Sequence, residues 1–275
     1  MGNTSSNPFF IDVVNGIDSR AAELQDFGVK VEICYAALDN PSLQVELIDN
    51  LVESGMSGLA ITPINHPLVT ERIRELTATG FPVVTANTDI PDCGRIAYVG
   101  SDYFKSGQTA AGLMNLICGG SAQVGVIIGS PLVLCHSERL SGFKQCIKEK
   151  YDGLFIAGIE VNNDEDIESF IVTKRLLEAD PKINALFLAA AGVAGACRAV
   201  VELGLKGKIK IISYDTTDKT IELIKTGDIA VTITQEPFVQ GEKPLDILFD
   251  YVGMDIKPEK EYYYTSLGIV IRENL

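Results

Sequence analysis

Short apolar runs alternate with longer segments of helical period along almost the whole chain. Val29–Tyr35, Gly58–Thr62, Pro82–Ala86, Val124–Ile128, Leu154–Ile159, Ala185–Ala189, Ile209–Tyr214 and Ile229–Thr234 are short and apolar, which predicts strands. Between them, Ser42–Ser54 sets Leu43, Leu47, Ile48, Leu51 and Val52 on one helical face. Asp102–Cys118, Ser137–Glu149, Asp164–Glu178, Val193–Leu203 and Thr217–Thr226 follow the same period. The chain opens on another such helix: behind Asn7-Pro8-Phe9-Phe10, apolar residues recur at Val13, Val14, Ile17, Ala21 and Leu24. Proline suits a first helical turn, where its missing N–H would have had no partner. Strands this uniformly apolar are buried on both faces. The alternation therefore predicts an α/β fold of parallel sheets covered by helices, with right-handed crossovers.

With 275 residues the chain has room for two lobes of ordinary size, although eight or nine strands in one sheet would satisfy the pattern too. Its formal charge of −14 argues against this chain gripping nucleic acid by itself, since phosphate contacts need clustered Lys and Arg. Six cysteines, at 34, 93, 118, 135, 146 and 197, show neither a C-x-x-C nor a zinc-like spacing. Free thiols in a reducing cytoplasm are the expectation. No apolar stretch is long enough to span a bilayer, and no signal peptide is visible at the start.

In open α/β sheets ligands gather beyond the carboxyl ends of the strands. The residues there are Thr62-Pro63-Ile64-Asn65, Asn87-Thr88-Asp89, Asp102, Asp215 and Gln235, with Arg139 on the helix after Gly129-Ser130. Interleaved with Phe9, Phe10 and Tyr214, these amides, carboxylates and one guanidinium have the chemistry of polyol recognition. Plainer roles stand beside that one. Phe9 and Phe10 read equally as core, Asp102 as a helix N-cap, Asn65 as a turn residue, Asp215 as a cap and Arg139 as a partner of Glu138 or Glu149.

Catalysis has less support. His66 lies in a turn, and the adjacent side chains of Cys135 and His136 are expected to diverge on a helix. An aspartate nucleophile at Asp215 would want a second acid two residues on, where Thr217 stands. Gly119-Gly120 precedes a strand, so it is a turn and not a phosphate cradle. No P-loop, G-x-S-x-G or metal cluster occurs, and neither cofactor nor metal is expected. An α/β enzyme using Asp215 is the third-ranked reading.

Several motifs, in order and spacing, carry a resemblance over nearly the whole chain. They are Asn7-Pro8-Phe9-Phe10 with Gly16, Gly80-Phe81-Pro82-Val83-Val84, and Tyr98-Val99-Gly100-Ser101-Asp102 with Gly107. Glu138-Arg139-Leu140-Ser141-Gly142-Phe143, Ile212-Ser213-Tyr214-Asp215 and the final Ile271-Arg272-Glu273-Asn274-Leu275 complete them. The chain resembles the effector-binding core of LacI/GalR-type transcriptional regulators and the related periplasmic sugar-binding proteins. The resemblance implies two Rossmann-like lobes joined by a three-crossing hinge, with a ligand between them that biases an open–closed equilibrium. Residues 1–100 with 236–261 would form the N-terminal lobe and residues 101–235 with 262–275 the other. The family's ligand positions fall on Phe9, Phe10, Asn87, Arg139, Asp215 and Gln235.

A regulator core that binds a sugar or sugar derivative as effector is the first expectation, and the solute-binding protein of a sugar ABC transporter is the alternative. The regulator reading implies a cytoplasmic homodimer, with operator DNA reached through a head this chain does not contain. The chain departs from the family pattern in two further places. Ala189-Ala190-Ala191-Gly192 stands where a polar pair is usual, which favours a less hydroxylated ligand. A central strand is expected just before Asn7, and Met1–Ser6 is too short and too polar to supply it.

Overall fold

The computed structural model of the protein describes residues 9–36, 40–131 and 133–275. Its elements run α1 (Phe9–Gln25), α2 (Pro41–Glu53), β1 (Leu59–Ile61), α3 (Pro67–Ala78), β2 (Val83–Ala86), β3 (Ala97–Gly100), α4 (Tyr103–Ile117) and β4 (Ala122–Ile128). There follow α5 (Leu134–Lys150), β5 (Leu154–Val161), α6 (Asp166–Ala179), β6 (Ala185–Leu188), α7 (Val193–Glu202) and β7 (Lys210–Tyr214). The chain ends with α8 (Asp218–Lys225), β8 (Val231–Thr234), α9 (Pro237–Gly253), β9 (Tyr262–Tyr264), β10 (Gly268–Val270) and a short 3-10 turn.

Two compact units divide these elements. The described residues up to Ser101 join Glu236–Ser266, and Asp102–Gln235 join Leu267–Leu275. The last crossing lies after Ser266 and not after residue 261. Tyr262, Tyr263 and Tyr264 pair in parallel with Tyr98, Val99 and Gly100, which keeps β9 with the first unit's sheet.

The first unit holds a parallel sheet in the order β1-β2-β3-β9. Successive strand residues point to opposite faces. Val83 accordingly joins Ile48, Ile61, Val69 and Ile73 on one side, while Val84 joins Ala97, Val99 and Ile247 on the other. Helices α1 and α9 cross closely enough that a Cβ at Gly241 would overlap the carbonyl oxygen of Val13, and one at Gly16 that of Phe238. Pro237 opens α9 and Pro244 lies buried within it, so two prolines obscure this helix in the sequence pattern.

Val29–Tyr35 departs from expectation: among the described residues it belongs to no ladder. The apolar pattern makes a segment strand-competent, but only a hydrogen-bonding neighbour makes it a strand. Asn7, Pro8 and the expected strand before them lie outside the described residues.

The second unit's sheet runs β10-β8-β7-β6-β4-β5, parallel except for β10 against β8. Its two faces carry separate cores. Phe143 stacks on Phe187 at 4.4 Å beneath α4 and α5, and Ile127, Leu186, Leu188 and Ile211 pack on the opposite side. Largely parallel sheets covered by helices are what the alternation predicts, and their division between two lobes is what the resemblance implies.

Candidate ligand-binding site

Strand β7 ends at Tyr214, and the chain turns at Asp215 with φ of +65°, a left-handed backbone that Asp and Asn tolerate better than most residues. The Asp215 N–H donates to the Ile233 carbonyl at 2.9 Å, and the Thr232 hydroxyl donates to the Asp215 carbonyl at 2.8 Å. Neighbouring β8 ends one residue before Gln235, so the two strands deliver both side chains to the same edge. Gln235 Nε2 donates to Asp215 Oδ1 at 2.8 Å.

Arg139 reaches this pair from α5. It is buried, only 4% exposed, and has none of the expected surface partners. One guanidinium nitrogen donates to the Ala189 carbonyl at 2.9 Å and another to Gln235 Oε1 at 3.1 Å. Its Cζ lies 3.7 Å from the Tyr214 ring centroid and 5.2 Å from that of Tyr103. The buried Nε has no hydrogen-bond partner in the structure. Gln235 thus links guanidinium to carboxylate, while an N–H donor remains for a further acceptor.

Burial pushes the Asp215 carboxyl above its ordinary value, against the pull of Arg139 and of the Gln235 hydrogen bond. Burial likewise lifts the Tyr214 phenol to about 12, so it stays a neutral hydroxyl, paired with Ser106 at 3.1 Å. A carboxylate, an amide and a guanidinium over aromatic rings can receive and donate hydrogen bonds to adjacent hydroxyls while a ring covers a C–H face. Among the described residues no group of His, Cys, Asp and Glu is arranged to hold a metal ion.

The triple alanine after β6 contributes peptide groups only. The Ala189 carbonyl holds Arg139, the Ala191 carbonyl accepts from Asn162 at 2.8 Å, and the Ala191 N–H donates to Asp164 at 3.0 Å. Nearby, Cys135 and His136 follow each other at the start of α5. Burial would raise the Cys135 thiol, but the charge and hydrogen bond of His136, together with Arg139, bring it below its ordinary value. His136 Nδ1 accepts from the Ser130 N–H at 3.1 Å, and Nε2 lies 3.7 Å from Asp164. All six cysteines are thiols and not disulfides, and Cys197 is raised to about 12 by burial.

In the first unit Asn87 sits at the tip of β2 with φ of +62°. Its Nδ2 donates to Gln240 Oε1 at 3.1 Å, and its carbonyl accepts from the Tyr98 hydroxyl at 2.8 Å. Phe9 and Phe10 are buried edge-to-face at 5.3 Å, against Val13, Ile17, Val31, Ile33 and Leu245. Neighbouring Asp89 is committed elsewhere, to a buried fork with Arg95 at 2.5 and 2.6 Å and to Thr85 at 2.6 Å. Asp102 caps α4 through Lys105 at 2.8 Å, and His66 caps α3.

Sequence reasoning missed Tyr103 and Gln240, which flank Arg139 and Asn87. An aromatic residue directly after the Asp102 cap was the available signal for the first. Gln240, inside α9, gave none.

The model of the periplasmic binding protein domain matches residues 1–254. The ribose import binding protein of Bacillus subtilis is 28% identical over 240 residues, covering 87% of this chain and 76% of that one. A sugar-binding protein of a sugar ABC transporter from Bacillus halodurans superposes with a TM-score of 0.89 at 26% identity, over 98% of this chain and 95% of that one. An ABC transporter solute-binding protein from Burkholderia graminis, in complex with D-arabinose, gives 0.90 at 25% identity, over 98% and 93%. These relatives overturn the regulator expectation, because they are named for sugar binding and import and none for transcription. The operator, the homodimer and the cytoplasmic placement rested on that expectation and lose their support with it. Both readings share one fold, so the residues at the strand tips do not separate them. The match over residues 1–254 makes this chain a member of the periplasmic binding protein domain family.

Proposed function

We propose that this protein is the solute-binding component of a sugar ABC importer, acting outside the cytoplasmic membrane and binding its sugar without transforming it. The observation that carries this is the Arg139–Gln235–Asp215 relay, buried on aromatic rings at the carboxyl edge of a parallel sheet. In this reading Asp215 accepts from a sugar hydroxyl, and the partnerless Nε of Arg139 donates to one. Phe9, Phe10 and Asn87 belong to the ligand-binding set as well. The relatives named for ribose and D-arabinose make a pentose the first class to try.

Isothermal titration with D-ribose, D-arabinose, D-xylose and D-allose tests the reading. Saturable one-to-one binding of at least one sugar is expected, lost in Arg139→Ala and in Asp215→Ala. Sugar binding of unchanged affinity in both variants would remove them from the site.

A further inference from the structure

The surroundings of Cys135 differ from those of Cys93, Cys118, Cys146 and Cys197, which burial pushes above the ordinary thiol value. Cys135 is half-buried in the first turn of α5, a helix of 17 residues whose N-cap, Val133, offers no side-chain acceptor. The unpaired N–H groups of a first helical turn carry partial positive charge, which favours an anion there. Arg139 follows four positions on, along the same helical face, and its charge acts on the thiol. The buried Nε of Arg139 has no hydrogen-bond partner, so this face of the helix still presents an unused donor.

His136 is the second cationic neighbour. Its Nδ1 accepts from the Ser130 N–H at 3.1 Å, and its Nε2 lies 3.7 Å from Asp164, which in turn accepts from the Ala191 N–H at 3.0 Å. The ring packs so close to the tip of β4 that a Cβ at Gly129 would overlap both its Cε1 and the Asp164 carboxylate. Its place is therefore fixed, and it hydrogen-bonds the Cys135 thiol. Asp164 opposes a thiolate, as burial does, while Tyr214 faces the same group and stays neutral. His136 and Arg139 together outweigh that opposition. Thiol reactivity follows thiolate fraction and access, so the pair needs no catalytic alignment.

We propose that Cys135 is a covalent modification site of the second unit, where the thiol captures a small organic disulfide. The Cys135 sulfur bonds to one sulfur of the disulfide as the disulfide's own S–S bond breaks. The electron pair of that bond leaves on the departing thiolate, and the Cys135 proton goes to solvent. The reagent is reduced to one thiolate while the protein gains a mixed disulfide. Lowering a thiol's pKa costs nucleophilicity at less than half the rate at which it gains thiolate, so below the ordinary range the exchange is faster than at an unperturbed thiol. The inference does not depend on which sugar, if any, the protein binds.

The test treats the full chain with dithiodipyridine, a small neutral disulfide, and follows pyridinethione release against pH while peptide mass mapping locates the adduct. At about pH 6 one fast equivalent is expected, mapped to Cys135 and absent in Cys135→Ser, at about tenfold or more the rate of half-buried Cys34. His136→Gln is expected to move the midpoint of the Cys135 rate profile upward, whereas a merely structural role would scale the rate at every pH alike. An adduct that maps first to Cys34 or Cys118 would overturn the proposal. So would a Cys135 rate that rises only through the ordinary thiol range near about pH 8.5, or a folded protein inert at pH 6. An unmoved midpoint in His136→Gln would remove the imidazole from the site.

Discussion

The Arg139 guanidinium carbon lies over the Tyr214 ring, 3.7 Å from its centroid, and it owes that position to partners on two other loops. Ala189 and Gln235 fix its two terminal nitrogens, so stacking and hydrogen bonding specify one orientation. A lysine would keep the charge but lose both the fork and the plane. Arg139→Lys is therefore expected to weaken sugar binding nearly as much as Arg139→Ala. Removing a buried charged partner is worth about 2–5 kcal/mol, roughly 30-fold or more in Kd. Titration calorimetry on both variants checks this, and a lysine variant that binds normally would show that charge alone suffices.

Asp215 gives the ligand-free protein a pH signature. Its carboxyl is held above the ordinary value chiefly by burial, so the folded state binds this proton more tightly than the unfolded chain does. Below the ordinary carboxylate range both folded and unfolded chains are protonated there, and the stability is fully present. As pH rises from that range through the raised folded value, the unfolded chain releases its proton first and stability falls. Asp215→Asn keeps an oxygen for Gln235 Nε2 and suits the left-handed backbone, but it cannot ionise. Melting temperature against pH should show the variant gaining on the parent as pH rises through that window, with a constant difference above it. Parallel curves would place the carboxyl at its ordinary value.

Asp89 is a structural counterpart, whose removal is expected to cost stability and not sugar affinity. It lies in the polar run Asn87-Thr88-Asp89, where sequence alone gives all three residues equal claim to a ligand. Its carboxylate is instead consumed by Arg95, which is raised beyond its already high value by Asp89 although burial opposes it. Breaking a buried pair from one side leaves an uncompensated charge and costs about 3–5 kcal/mol. Asp89→Ala should lower the urea midpoint strongly, while any folded fraction binds sugar with parental affinity. A large loss of affinity in that fraction would move Asp89 into the site.

The same contrast shows how far the sequence reaches. Apolar runs of four to eight residues located seven of the ten strands found among the described residues to within a few positions, because burial on both faces writes itself into composition. Asp215 and Gln235 were legible for a related reason: each directly follows such a run. Asp89 was not separable from Asn87, since the partner that claims it, Arg95, comes six residues later and across a turn. Val29–Tyr35 was misjudged because pairing is a property of two segments, and only one of them is encoded locally. The choice between regulator and importer was illegible for a deeper reason. Both readings share one fold and one set of strand tips, so the residues there do not separate them.

Helix packing supplies the last prediction, through two glycines five residues apart on α4. A Cβ at Gly107 would overlap the carbonyl oxygen of Arg139, whereas one at Gly112 would meet only the Tyr151 hydroxyl, at 3.4 Å. In Gly107→Ala, α4 and α5 must separate at the residue that carries the guanidinium, so both folding and binding should suffer. Overpacking of this kind typically costs 1–3 kcal/mol, and a shift of Arg139 of a few tenths of an ångström loosens its bonds to Ala189 and Gln235. In Gly112→Ala the dominant change is helix propensity, which favours alanine by up to about 1 kcal/mol. Thermal melts and sugar titrations on the pair should therefore move in opposite directions for stability, with affinity reduced in the first variant alone. If Gly107→Ala loses stability but keeps full affinity, the position of Arg139 is set by its polar partners and not by the helix crossing beneath it.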